Sequence, residues 1–200
     1  MPPATVKTLP AENPLEKPNR SGNSPLLDAA GWGFVEEVVE LLEKGADIES
    51  TGAGGLTALL RAAKYGRDKV LLMLLDSGAS LGARGSEGET VLMLAAKSIS
   101  VKVFRLLLDS CPQNLVKSCD NQGRTALHYA IASRKVLISD ILVLSGLNPY
   151  QRDHAGATPE SIARTSAARR QKIHSLWLQY ERSALNGEIA EPQCTSIRRL

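Results

Sequence analysis

The sequence predicts an all-α chain, a solenoid of helix-turn-helix units, and three observations carry that prediction. SPLLDAA (24–30), TALLRAA (57–63), TVLMLAA (90–96), TALHYAI (125–131) and TPESIAR (158–164) begin 33, 33, 35 and 33 residues apart, and self-similarity at such a period marks a stack of repeats. Between them run apolar segments with a period of three and four, the spacing of a helix with one buried face. Only 4% of the chain is aromatic while 43% is hydrophobic, so the core must be aliphatic, which suits closely packed helices.

The elements follow in order. Prolines at 2, 3, 10, 14 and 18 remove backbone donors and block helix, so residues 1–20 are expected to form a disordered, Pro-rich arm. They contain no apolar h-region of the kind a secretory signal needs. Each unit then opens on Ser or Thr, which caps a short helix by accepting from its free N–H groups; Pro is tolerated just after it at Pro25 and Pro159. The pairs Ala29-Ala30, Ala62-Ala63 and Ala95-Ala96 let a second helix approach closely. That second helix is VEEVVELLEKG (35–45), KVLLMLLDSG (69–78), VKVFRLLLDSC (101–111) and KVLISDILVLSG (135–146). Gly45, Gly78 and Gly146 supply a left-handed cap, and Cys111 stands at the same place in the third unit.

Helix, tight turn, helix and loop in 33 residues, with S/T-P/A-L-x-x-A-A and L-L-x-x-G-A-D, resembles the ankyrin repeat. SPLLDAAGWGFVEEVVELLEKGADIES and GLTALLRAAKYGRDKVLLMLLDSGASL carry it most fully. The resemblance implies an ankyrin-repeat solenoid over residues 21–168, with four complete repeats near 20–52, 53–85, 86–118 and 121–152 and a degenerate fifth at 154–168. RRQKIHSLWLQYERSAL (169–185) places Ile173, Leu176, Trp177, Tyr180 and Leu185 along one face, so 169–186 is expected to cap the stack, with a partner-binding helix as the other reading. Residues 187–200 are expected to be a flexible tail.

Departures from the pattern carry expectations of their own. The family's His after the Leu survives only as His128, with Leu27, Leu60 and Met93 elsewhere, where apolar contact is expected to take over. The Gly that ends the first helix is present as Gly33 and Gly66 but becomes Ile99 and Arg134, so the turn should change shape in both later units. CPQNLVKSCD (111–120) reads as a lengthened finger between the third and fourth repeats, not a metal or redox site.

Composition and motif searches exclude several functions. A net charge of +3 and a pI near 8.8 fall well short of a nucleic-acid binder's basic stripe. No stretch reaches the eighteen apolar residues of a membrane span. The odd cysteine count makes no disulfide framework and fits a reducing compartment, cytoplasmic or nuclear. Only three histidines can serve as a catalytic base, and Cys111, Cys119 and His128 lack zinc-ligand spacing. GAGG (52–55) lacks the Lys-Ser/Thr of a phosphate loop. The expectation is no catalytic site, metal or cofactor.

Recognition of a protein partner by a monomer remains, with no small-molecule substrate. In the family, contacts come from the loop fingertips and from first-helix positions seven and eight residues after the Ser/Thr. Carried over by register, these are Trp32, Lys64, Tyr65, Lys97, Arg84, Glu87, Glu89, Gln122, Arg124, Arg152 and His154. Trp32 and Tyr65 share one repeat position, and aromatics are favoured anchors; the plainer reading is that Trp32 covers the open end of the core. RRQK (169–172) reads as a solvated helix face, or as a nuclear address for an ankyrin subunit of a transcriptional or enzymatic assembly.

Overall fold

The computed structural model describes residues 17–20, 22–162 and 167–186, so most of the N-terminal arm and all of the 187–200 tail lie outside it. Among the described residues every regular element is helical. Four helix pairs follow one another: α1 (Pro25–Trp32) with α2 (Val35–Glu43), α3 (Ala58–Lys64) with α4 (Asp68–Asp76), α5 (Val91–Ser98) with α6 (Val101–Ser110), and α8 (Ala126–Ala132) with α9 (Val136–Leu144). One helical turn, α7 (Gln113–Val116), interrupts the third connection; α10 (Pro159–Ile162) and α11 (Ala167–Leu185) complete the fold.

Packing follows the alanines. First helices stack in a row, α1 on α3, α3 on α5 and α5 on α8, while α10 closes on α8 and α11 on α9. Ala30, Ala62, Ala63, Ala95, Ala96 and Ala130 are wholly buried in that row, where a larger side chain would hold the helices apart. Second helices contribute Val38, Leu71, Leu74, Phe104, Leu107, Ile138 and Leu142 to the same continuous core.

Side chains bind each unit to the one before. Arg61 donates from Nε to the Leu27 carbonyl (2.9 Å) and from Nη1 to Asn23 Oδ1 (2.9 Å), and Arg67 Nε reaches the Gly31 carbonyl at 2.9 Å. Ser98 Oγ donates to Ala63 O at 2.8 Å. The loops pair through single backbone bonds, from Ser86 N–H to Gly54 O (2.8 Å), Asn121 N–H to Glu87 O (2.9 Å) and His154 N–H to Gln122 O (2.8 Å).

The two turns without glycine behave differently. Ile99 sits in extended backbone (φ −75°, ψ 158°), so that turn does change shape. Arg134 instead keeps φ at 57°, so the fourth unit retains the left-handed turn that Gly33 and Gly66 make and accepts the side-chain strain. A long unbranched residue tolerates this better than a β-branched Ile.

The cap positions also diverge from expectation. Thr57 and Thr90 accept from Leu60 and Met93 N–H at 3.4 Å, but Ser24 makes no such bond. Leu27 and Leu60 fill the place of the family's His with apolar contact, both wholly buried. Met93 keeps a polar contact, its sulfur accepting weakly from Thr90 N–H at 3.5 Å.

The 111–120 finger is more structured than a lengthened loop. Pro112 ends α6 and starts α7, which seats Val116 in the core and leaves Ser118 Oγ donating to Leu115 O at 2.7 Å. At the far end, Ile173, Trp177 and Tyr180 of α11 are buried and Leu176 partly so, while Leu185 is 87% exposed and does not belong to that face.

Candidate recognition surface

The first helices end at one edge of the stack, and the candidate residues there are open to solvent. Trp32 is 66% and Tyr65 48% exposed, so Trp32 does not close the core, the job the plainer reading gave it. Lys64 and Lys97 are exposed beside them. The Arg61 and Lys64 charges lie 5.8 and 5.9 Å from the Tyr65 ring centre, within reach of a cation–π attraction. Phe34, at the start of α2, is 54% exposed and adds a third aromatic; it falls outside the two register positions and so escaped the sequence argument.

Fingertip candidates divide into those free to meet a partner and those holding their own loop. Arg84 Nη1 donates to the Gly88 and Cys119 carbonyls at 3.0 and 3.1 Å, and Arg152 Nη1 to the Gly156 carbonyl at 3.0 Å. Glu89 is half-buried, whereas Glu87, Gln122 and His154 are exposed. His154 lies against Gly123 of the preceding finger, where an added methyl group would come within 2.8 Å of its ring.

Lys97, Gln122 and Arg124 meet at a depression of about 300 Å³ also lined by His128, Tyr129 and Asp153. Buried Asp120 holds two of its lining residues. Its carboxylate accepts from Arg124 Nε at 2.7 Å and from the Tyr129 hydroxyl at 2.8 Å, and Arg124 Nη2 donates to the Tyr129 oxygen at 2.9 Å. Burial works against the Arg124 charge, but the Asp120 bond and the Tyr129, Asp120 and Glu89 charges outweigh it and hold the guanidinium above its usual pKa. Burial, then the Asp120 bond, push the Tyr129 phenol up. Lys97 Nζ lies 5.6 Å from the Tyr129 ring centre.

His128 fastens this end of its helix. Its Nδ1 accepts from Thr125 N–H at 3.1 Å and lies 3.0 Å from Thr125 Oγ1, so the proton of the neutral ring sits on Nε2. The Ala157 carbonyl, with Asp153 and Asp120, favours the charged ring, yet desolvation prevails and lowers the pKa, and Nε2 closes no short hydrogen bond. Above about pH 6.5 both folded and unfolded rings are neutral; below it the unfolded chain takes up the proton more readily. Stability from this ring is therefore complete above that pH and falls as acid is added. Urea midpoints followed from about pH 7.5 to 5 should drop further for the wild type than for His128→Met; parallel curves would assign the acid sensitivity elsewhere.

Burial pushes the Cys111 thiol up to about 11, which suppresses the nucleophilic thiolate. Cys119 is disulfide-bonded, whereas Cys111 is a free, buried cysteine. Among the described residues no group of three His, Cys, Asp or Glu is placed to hold a metal ion, and no helix is long and apolar enough to cross a membrane. Of the basic segment 169–172, Lys172 Nζ pairs with Asp140 at 2.8 Å and helps seat α11 on α9.

Comparison with known proteins agrees with this architecture. A family model described as ankyrin repeats (3 copies) matches residues 3–85 and 81–153, and no curated protein gives a significant match. Ankyrin repeats generally serve as modules of protein–protein interaction. The recurring helix pairs, the buried alanine row, the bonded fingers and the matched span together make this chain a member of the ankyrin repeat family.

Proposed function

We propose that the chain is a non-catalytic adaptor or inhibitor that binds a folded protein or peptide across its first-helix ends and fingertips. The observation that carries this reading is the exposure of Trp32 and Tyr65 at equivalent repeat positions, with Lys64 and Lys97 alongside. Large aromatic side chains left in water in an aromatic-poor chain lose burial that a partner restores. Glu87, Gln122 and His154 extend the surface along the fingers, while Arg84, Glu89, Arg124 and Arg152 shape it from within their loops. The mixed charges suit a protein more than a nucleic acid.

Affinity capture from the native cell identifies the partner, and the pair Trp32→Ala with Tyr65→Ala then tests the surface. Affinity should fall about tenfold or more while the thermal midpoint stays near the wild-type value, because both side chains are exposed. Unchanged affinity would move the binding face elsewhere. Lys172 is tied to Asp140, which favours a structural part for the 169–172 segment over a nuclear address.

A further inference from the structure

The second-helix row changes character on its outer side at α9. Counted back from the helix-ending position, Leu137 stands where the earlier units have Glu36, Lys69 and Lys102, and Leu144 where they have Glu43, Asp76 and Asp109. All six of those charged residues are exposed. Repetition makes the positions equivalent, so the fourth unit puts leucine where its siblings satisfy water with charge. Leu137 is 61% and Leu144 45% exposed. With half-buried Ile141 they form a stripe at i, i+4 and i+7 on one helix face, and Leu106 of neighbouring α6, 47% exposed, widens it. The last helix does not cover the stripe: α11 packs on α9 through Lys172–Asp140 and buried Ile173 and Trp177.

The border of this stripe is cationic. Lys102 and Arg105 on α6 and Arg134 at the head of α9 are exposed, and none pairs with an acid among the described residues. Asp140 is engaged by Lys172, leaving Asp109 as the exposed carboxylate on these two helices.

We propose that the outer face of α9 and α6 is a second docking surface, separate from the first-helix ends, and that its occupant is an acidic amphipathic helix of a partner protein. Leucines at i, i+4 and i+7 take the apolar side of such a helix, and its flanking carboxylates meet Lys102, Arg105 and Arg134. Two other occupants fit less well. Residues 187–200 carry Arg198 and Arg199 against Glu188 and Glu191, so they bring no net side-chain acid to a cationic border. A second copy offers acidic α2, but its exposed large apolar residues, Phe34 just before the helix and Val39 within it, are five positions apart and share no face, too little to cover three.

The probe is a synthetic helical peptide with leucines at i, i+3 or i+4 and i+7 flanked by glutamates, compared with its lysine-for-glutamate counterpart by fluorescence anisotropy against the full chain. The glutamate peptide should bind, more tightly at low salt, and the lysine peptide should not. Leu137→Glu with Leu144→Glu should weaken binding about tenfold or more while circular dichroism stays unchanged, since Glu36 and Glu43 already occupy the equivalent places. Lys102→Glu with Arg105→Glu should weaken it separately. No binding by the glutamate peptide, or equal binding by the leucine variant, overturns the proposal. So does dimerisation of the wild type that the leucine variant abolishes, or binding that begins only once residues 187–200 are removed.

Discussion

Phe104→Ala lowers the unfolding free energy by about 3–5 kcal/mol, the range for removing a fully buried aromatic ring. The ring is wholly buried, and its helix α6 packs on both α5 of its own unit and α9 of the next. In a stack whose stability is a sum of units and neighbouring junctions, one deletion there weakens a unit and a junction together. Urea unfolding followed by far-ultraviolet circular dichroism measures the loss. A domain's whole margin is about 5–15 kcal/mol, so Phe104→Leu, expected to cost less than about 1.5 kcal/mol, provides a folded comparison. A loss below about 1 kcal/mol for the alanine variant would mean that the cavity collapses.

Gly146→Ala should dislodge the last helix, at a cost of about 2–4 kcal/mol when left-handed strain and overpacking are added. Gly45, Gly78 and Gly146 have nearly the same φ, at 88°, 88° and 90°, so the backbone strain of a methyl group is shared by all three. Their surroundings differ. A Cβ on Gly45 or Gly78 meets nothing within 4 Å, whereas on Gly146 it would lie 2.6 Å from the Tyr180 hydroxyl and 2.7 Å from Cζ. Tyr180 stacks on Trp177 with ring centres 5.2 Å apart, so Trp177 fluorescence should shift with Gly146→Ala and stay constant with Gly45→Ala and Gly78→Ala. Equal losses in all three variants, with no spectral change, would show that Tyr180 yields freely.

The repeat architecture was legible because each unit restates the same constraints: a hydroxyl before the first helix, an alanine pair within it, and a glycine after the second. What the sequence could not convey was how one departure would be absorbed. Ile99 and Arg134 look alike as losses of glycine, yet one turn became extended and the other kept its positive φ. The α7 turn was hidden because four residues are too few for a period to appear. Leu185 was assigned to the buried face of α11 by spacing alone, which says nothing about where the neighbouring helix ends.

The candidate surface was less legible than the fold. Register located Trp32, Lys64, Tyr65 and Lys97 among exposed residues, but it could not tell a free fingertip charge from one closing its own loop, as Arg84 and Arg152 do. The buried Asp120–Arg124–Tyr129 set also escaped notice, since its members are separated by four, five and nine positions and belong to no shared motif.

The bonds between successive units also bear on how quickly the chain folds. The contacts from Arg61 to Leu27, Ser98 to Ala63, Asn121 to Glu87 and Lys172 to Asp140 each join residues about one repeat apart, so every junction closes a loop of similar length and similar entropy. With no junction demanding a distant strand, the search stays local, and local contacts favour rapid folding. Order can start at any adjoining pair of units and spread both ways. The middle pairs, where alanine rows meet on both sides, are the natural starting points, and the ends are the last to join and the first to fray.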